Sequence, residues 1–331
     1  MAAAARTPGK LVALGEYAVL DGAEALVLAV DRYCEAAVER SGDAQCRLEI
    51  RAGDTRTVRF APGQASGVPL VDLVTGAAAA PAWRGRIDSS AFFAGPRKLG
   101  LGSSAAALCA WAGAWHAYET AVGGRPPPPL TLERLIDLHR RFQGGGSGLD
   151  VAASLHGGAI TFTAAPDGSV RVGSVRLPNS VGFAGIFAGQ SASTPELIAR
   201  YAAWKRGRPR EAAERIKALA AIAAAGCAAA REDDVRRFLD AVDAYGAALA
   251  ELGTVIGADI VTADHRAIGV EARKYGVAYK VSGAGGGDLG IAFAADADAL
   301  DAFCSALAGR NFLTIGLRLA DHGLMIEERR Q

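Results

Sequence analysis

The sequence predicts an α+β chain, on three observations. From Lys10 to about Phe60, short runs of β-branched and apolar residues are broken by Gly-Glu, Asp-Gly and Ser-Gly-Asp, the pattern of strands and turns. From Pro195 to Leu252 the chain is dominated by Ala, Glu, Arg and Leu, the composition of long helices. Between them the change of character near Asn179 marks a soft boundary, so residues 1–179 and 180–331 are expected to form separate domains. The chain has 331 residues and is 50% hydrophobic, which suffices for one large domain or two ordinary ones.

Each further element has its own signal. Ala105 to Val122 is Ala-rich, lacks proline and follows the glycine-serine stretch Leu99 to Ser104, which predicts a helix starting there. Consecutive prolines in Arg125 to Pro129 end it. Thr131 caps a second helix running to about Gln143, with Leu132, Leu135, Ile136 and Leu138 on one face. Ala159 to Phe162, Val170 to Val175 and Val181 to Phe187 read as strands, the first two flanking a Pro-Asp-Gly-Ser turn. The helical region breaks near Gly207 to Pro209. A strand, glycine loop and strand follow at Ala278 to Phe293, then a helix from about Ala297 to Leu307 and a strand-like end.

Composition narrows the function. Lys plus Arg (36) nearly balances Asp plus Glu (35), without the basic footprint of a nucleic-acid binder. A small-molecule partner is expected instead, on a monomer or homodimer. The five cysteines are odd in number, far apart and without a C-x-x-C pair, as in a reduced, cytoplasmic compartment. Met1 to Ala5 is too short for a signal-peptide core, and the apolar run Ala218 to Ala230 falls short of the roughly 20 residues that cross a bilayer.

Three glycine-rich stations carry the chemistry. Gly100-Leu101-Gly102-Ser103-Ser104-Ala105 opens a helix, where glycines admit a ligand to the backbone, hydroxyls bind it and the helix amino end favours anions. It is neither a Walker loop nor a Rossmann fingerprint. Gln143 to Asp150 places a carboxylate between a run of glycines and an apolar helix, and Val281 to Asp288 lies between two strands. Taken singly, these also fit a serine-capped helix start, an aspartate N-cap and a hairpin. Together with Lys10 after Pro8-Gly9, they supply what phosphoryl transfer requires: a phosphate cradle, a cation site and a lysine-carboxylate pair.

These residues resemble the family of galactokinase, homoserine, mevalonate and phosphomevalonate kinases, the GHMP kinases. Pro8-Gly9-Lys10 with Leu14 to Gly22 is similar to the family's amino-terminal motif, Gly100 to Ala106 to its phosphate loop, and Ser282 to Gly287 to its third motif, in the family's order and over essentially the whole chain. The resemblance implies a two-domain fold, an amino-terminal nucleotide-binding domain followed by a ferredoxin-like α+β domain, with the active site between them. It also implies ATP and Mg²⁺ as cofactors. Within the family the chain looks closest to the phosphomevalonate kinases. The position eleven residues before Asp150, a magnesium-binding glutamate in mevalonate kinases, is His139 here. Residues His139 to Ser154, the run Gly189 to Thr194 and Asp288 after three glycines also resemble the phosphomevalonate kinase pattern.

Carried over residue by residue, the resemblance makes Lys10 and Asp150 catalytic. It gives Gly100, Leu101, Gly102, Ser103, Ser104 and Ala105 to the ATP phosphates, and one of Ser103 and Ser104 to the metal. Glu16, Tyr17, Lys98, Ser147, Gly148, Gln190, Ser191, Ser193, Thr194, Ser282, Gly283, Ala284, Gly285 and Gly286 are expected around the acceptor. Arg97 and Lys98 would meet its negative charge, or form a solvated basic pair. Phosphomevalonate or mevalonate is the expected acceptor. Another small-molecule kinase of the family, a related decarboxylase and an inactive binding homologue are the alternatives.

Overall fold

The computed structural model describes residues 2–76, 81–122, 127–165, 167–189, 194–287, 289–310 and 312–329. In chain order the elements begin with β1 (Ala2–Leu14), β2 (Ala25–Arg40), β3 (Cys46–Ala52), β4 (Asp54–Phe60), α1 (Pro69–Thr75) and β5 (Trp83–Asp88). Next come the two-residue strands β6 (Phe93–Ala94) and β7 (Arg97–Lys98), then α2 (Ser103–Val122), α3 (Leu132–Gln143) and α4 (Leu149–His156). Strands β8 (Ala159–Ala164), β9 (Val170–Val175) and β10 (Gly182–Phe187) lead into α5 (Thr194–Gly207), α6 (Pro209–Arg231), α7 (Val235–Ile256) and α8 (Ala263–Lys274). The chain closes with β11 (Ala278–Ser282), β12 (Leu289–Ala294), α9 (Ala297–Ala308), β13 (Leu313–Gly316) and β14 (Met325–Arg329). The α+β class holds, and α1 and α8 are the helices that periodicity does not announce.

Two compact units share this chain: Met1–Lys10, Ala29–Gly158 and Ala320–Gln331 form one, Leu11–Leu28 and Ala159–Leu319 the other. The units are interleaved in sequence, and the expected boundary at Asn179 lies inside the second.

The first unit is a sheet of order β14-β1-β2-β5-β3-β4, with β3 parallel to β5 and β1 antiparallel to β14. Its core is aromatic. Trp83 of β5 meets Trp111 and Trp115 of α2 at ring-centroid distances of 5.6 and 5.5 Å. This contact brings the all-but-buried α2 against the sheet, and it explains why that helix is apolar around most of its girth.

In the second unit, β11, β12, β10 and β13 form an antiparallel sheet in that order. Helices separate β10 from β11 and β12 from β13, giving the split β-α-β arrangement of ferredoxin-like domains, as expected. Ile186 of the sheet packs with Ile268 and Ala272 of α8 and Phe303 and Leu307 of α9. No helix among the described residues is long and apolar enough to cross a membrane.

His265, on the buried face of α8, is expected to make the fold sensitive to acid. Its Nδ1 lies 2.7 Å from the Tyr279 hydroxyl, its Nε2 has no partner among the described residues, and burial lowers its pKa to about 4. As pH falls through about 6.5 the unfolded chain gains a proton that the folded chain refuses. Stability is therefore full above about pH 6.5 and falls by up to about 3 kcal/mol by about pH 4. Denaturant titrations across this window should show the fall in the wild type and a flatter profile in His265→Gln. Identical profiles would remove His265 as the cause.

Candidate functional site

In the first unit, the amino-terminal motif and the phosphate loop are joined main chain to main chain. The Lys10 amide donates to the Leu101 carbonyl at 2.8 Å, and Thr7 Oγ1 donates to the Ala106 carbonyl at 2.7 Å. Ser154 Oγ of α4 donates to the Pro8 carbonyl at 2.9 Å. Strand β1 thus holds the start of α2, through Leu101 and Ala106, and the last turn of α4, through Ser154.

Gly102 is required twice over. Its φ is +79°, which a side chain rarely adopts, and a Cβ there would stand 3.0 Å from Lys10 Cγ and 3.2 Å from Lys10 Cε. The aliphatic stem of Lys10 therefore lies across the loop glycine. Ser103, nearly buried, and the half-buried Ser104 form the first turn of α2, where main-chain N–H groups lack helical partners. Gly100 lies on the same loop with φ +73°, while Leu101 and Ala105 are buried and anchor it.

Asp150 stands in the first turn of α4, and its Oδ1 accepts the Val151 amide at 3.1 Å. The turn before it runs through Gly144, Gly145 and Gly146 at positive φ to Gly148, where a Cβ would meet Ile136 at 2.7 Å. Arg140 fixes this turn, donating from Nε to the Gly146 carbonyl at 3.0 Å and from a terminal nitrogen to the Ser147 carbonyl at 3.1 Å. A side-chain chain then links loop to carboxylate. Gln143 Nε2 donates to Ser104 Oγ at 2.7 Å, His139 Nε2 is 3.2 Å from the same oxygen, and His139 Nδ1 is 3.8 Å from Asp150 Oδ1. Lys98 is exposed on β7 beside Arg97.

The second unit holds the third motif as the connection between β11 and β12. Glu16 is 4% exposed, and its Oε1 receives Lys280 Nζ at 2.5 Å and the Gly283 amide at 3.3 Å. Burial raises the Glu16 carboxyl above its usual value, against the lowering pull of Lys280. Glu16 Oε2 is buried without a hydrogen-bond partner among the described residues. Tyr17, with φ +62°, donates its hydroxyl to the Ala284 carbonyl at 2.6 Å. The Ser282 hydroxyl accepts the Val12 amide at 2.9 Å and donates to the Val12 carbonyl at 3.1 Å. Glu16, Tyr17 and Ser282 therefore direct these polar atoms to loop and strand, in a bracing role the sequence reading did not give them. Gly285 and Gly286 are tied to Ile260, whose carbonyl accepts the Gly286 amide at 2.9 Å. Thr194 is exposed at the start of α5, while Gln190, Ser191 and Ser193, like Asp288, lie outside the described residues.

Sequence reasoning missed Arg140, Gln143 and Lys280 as individual contributors. Lys280 had the clearest signal, a lone lysine in the otherwise apolar strand before the glycine loop. The other two lie on the polar face of α3, where function and solvation look alike.

Among the described residues no three His, Cys, Asp or Glu side chains cluster as a metal site. A cation held by one or two protein oxygens, with the remaining positions filled by phosphates and water, needs no such cluster. The Ser103 and Ser104 hydroxyls are hard donors of that kind.

Comparison with known proteins bears on the fold and on the segment that carries the loop. Residues 77–158 match the family described as the GHMP kinases N terminal domain, whereas no curated protein is similar enough to count as a match. Among solved structures, the Lin0012 protein from Listeria innocua is similar at TM-score 0.85 and 22% identity, covering 99% of this chain and 100% of that one. Streptococcus pneumoniae phosphomevalonate kinase, in complex with phosphomevalonate and AMPPNP, follows at 0.78 and 18%, covering 96% and 99%. The L. major mevalonate kinase bound to R-mevalonate is similar at 0.70 and 20%, covering 95% and 96%.

Gly102→Val should strain the loop locally, through its φ of +79° and its contact with the lysine stem, pushing Lys10 and the loop amides out of register, with circular dichroism used to confirm that the variant is folded. Calorimetry should show ATP binding weakened at least tenfold, about 1.4 kcal/mol. Unchanged affinity in a folded variant would reassign the loop. The loop and Asp150 lie within the segment that matches the GHMP kinases N terminal domain, with Lys10 bonded to that loop from β1, in a chain that shares the two-domain fold of solved structures including a phosphomevalonate kinase and a mevalonate kinase.

Proposed function

We propose that this chain is an ATP- and Mg²⁺-dependent small-molecule kinase whose acceptor is phosphomevalonate, giving diphosphomevalonate for isoprenoid precursor synthesis. The observation that carries the kinase reading is the glycine loop at the start of α2, hydrogen-bonded to Lys10 and linked through His139 to Asp150. In this reading residues 1–179 supply the nucleotide site and residues 180–331 the acceptor residues, joined by Glu16 and Tyr17 from the first motif.

The amides of Gly100 to Ala105 hold the β- and γ-phosphates, as a helix amino end does, with one of the Ser103 and Ser104 hydroxyls joining them and the other reaching Mg²⁺. Mg²⁺, when bound, offsets the charge of those phosphates and makes the γ-phosphorus easier to attack. Lys10 places a positive charge where negative charge builds up as the acceptor oxygen forms its bond to phosphorus and the bridging oxygen departs with ADP. Lys98 and Arg97 favour a dianionic acceptor.

The acceptor is argued from proton chemistry. A phosphate monoester has a second pKa near 6, so its attacking oxygen is largely deprotonated at neutral pH and requires no strong base. Asp150 then positions its neighbours. An alcohol acceptor would instead pass its proton to Asp150. A solved phosphomevalonate kinase and a solved mevalonate kinase both share the fold over nearly the whole chain, so the support for the first reading is the imidazole rather than a carboxylate at His139.

Lys10→Met should lower kcat by roughly two orders of magnitude or more with modest changes in KM, since its charge acts on the transition state. Near-normal turnover would take Lys10 out of the site.

A coupled ADP-release assay across phosphomevalonate, mevalonate, homoserine and galactose should give the highest kcat/KM with phosphomevalonate, and Asp150→Asn should retain measurable activity with it. A clear preference for mevalonate overturns the acceptor. Carbon dioxide release points to a decarboxylase, and no ADP with any acceptor to a binding homologue.

A further inference from the structure

The buried link between the loop serine and the aspartate allows the proton on His139 to be placed. A neutral imidazole carries one N–H, on Nδ1 or on Nε2, and its neighbours decide which. Gln143 Nε2 already donates to Ser104 Oγ at 2.7 Å and occupies one of its two lone pairs. An N–H on His139 Nε2 would send a second donor to that oxygen and would turn the bare Nδ1 lone pair toward Asp150 Oδ1, 3.8 Å away. Lone pair facing carboxylate is repulsive, and with His139 only 2% exposed, little water screens it. The opposite tautomer removes both conflicts. Nδ1–H then faces the carboxylate, at a distance that is electrostatic rather than hydrogen-bonding, and the Ser104 hydroxyl donates to Nε2 at 3.2 Å.

We propose that His139 is a positioning residue, held as its Nδ1–H tautomer by Asp150, which draws the Ser104 proton away from the ligand so that Ser104 Oγ presents only a lone pair to it. A hydroxyl so oriented cannot donate to a phosphate oxygen and is suited to ligate a divalent cation. Ser104 is thereby distinguished from Ser103 as the cation ligand, with Ser103 left to the phosphates. The cation, though not the tautomer, rests on the kinase reading above.

Two histidine replacements separate the two arms. In His139→Gln the amide reaches the position of Nε2 and can still accept from Ser104, but the group facing Asp150 is lost. In His139→Asn the amide sits near Nδ1, so a donor to Asp150 remains and the Ser104 arm is lost. His139→Phe fills the space and removes both.

The first measurement is made on the ligand-free protein labelled with ¹⁵N-histidine, where two-bond proton–nitrogen correlations report the tautomer of each ring. The signal that disappears in His139→Gln belongs to His139. It should show a protonated Nδ1 and a bare Nε2, and Asp150→Asn should weaken that preference. The second measurement compares ATP affinity with and without Mg²⁺ by calorimetry. The Mg²⁺-dependent part should fall roughly 10–100-fold in His139→Asn and His139→Phe and be largely kept in His139→Gln, the size expected when the partner of a metal ligand is removed. A protonated Nε2 in a wild-type protein that binds ATP overturns this inference alone. So does wild-type Mg²⁺·ATP affinity in a folded His139→Phe, which would make the ring mere packing. If the wild type binds no ATP, the kinase reading falls while the tautomer result still stands or fails independently.

Discussion

The approach of β1 to the loop before α2 is the constraint on which the proposed chemistry depends. The Lys10 amide and the Leu101 carbonyl are hydrogen-bonded, and Gly102 leaves room for the lysine stem to cross it. A side chain hung from a central strand, lying against a glycine, has few ways to move. The course of the lysine stem is therefore set by the backbone. A charge on such a stem needs little rearrangement when the reacting phosphorus changes its own charge distribution, which is what makes fixed electrostatics effective.

The second unit solves a related problem at greater cost. Glu16 and Lys280 are both removed from water, a step that costs several kcal/mol per ion and that their attraction offsets only when further hydrogen bonds complete the shell. Here the Gly283 amide and the Val12 carbonyl take part in that shell, and Tyr245 donates its hydroxyl to the Glu16 carbonyl at 2.7 Å. The pair specifies how the third glycine loop leaves its strand. Hydrophobic residues of similar size would fill the space without setting that direction.

Much of the fold and of the candidate site is legible in the amino-acid sequence. The three glycine stations, Lys10 and Asp150 could be read because each needs an unusual residue where ordinary packing would not select it, and Thr131 caps α3 as such a residue does. Helix α8 was hidden because one position of its buried stripe, His265, Ile268 and Ala272, is a histidine, and Gly269 interrupts the pattern. The interleaving of the two units was hidden for another reason. β1 and β2 are each long enough to serve both units, and nothing in a strand's alternation records where its neighbours change. His139 could be read only as a missing carboxylate, since its two partners lie 35 and 11 residues away and meet it through folding.

Glu16 and Lys280 lie 264 residues apart, and β1 pairs with β14 near the other end of the chain. During synthesis the first strand is made long before either partner exists. Until they emerge, its edge is unpaired, its apolar residues lack a cover and the Glu16 carboxylate must remain hydrated. Folding of this chain is thus governed by late, long-range closure, which is slow and leaves an aggregation-prone strand waiting.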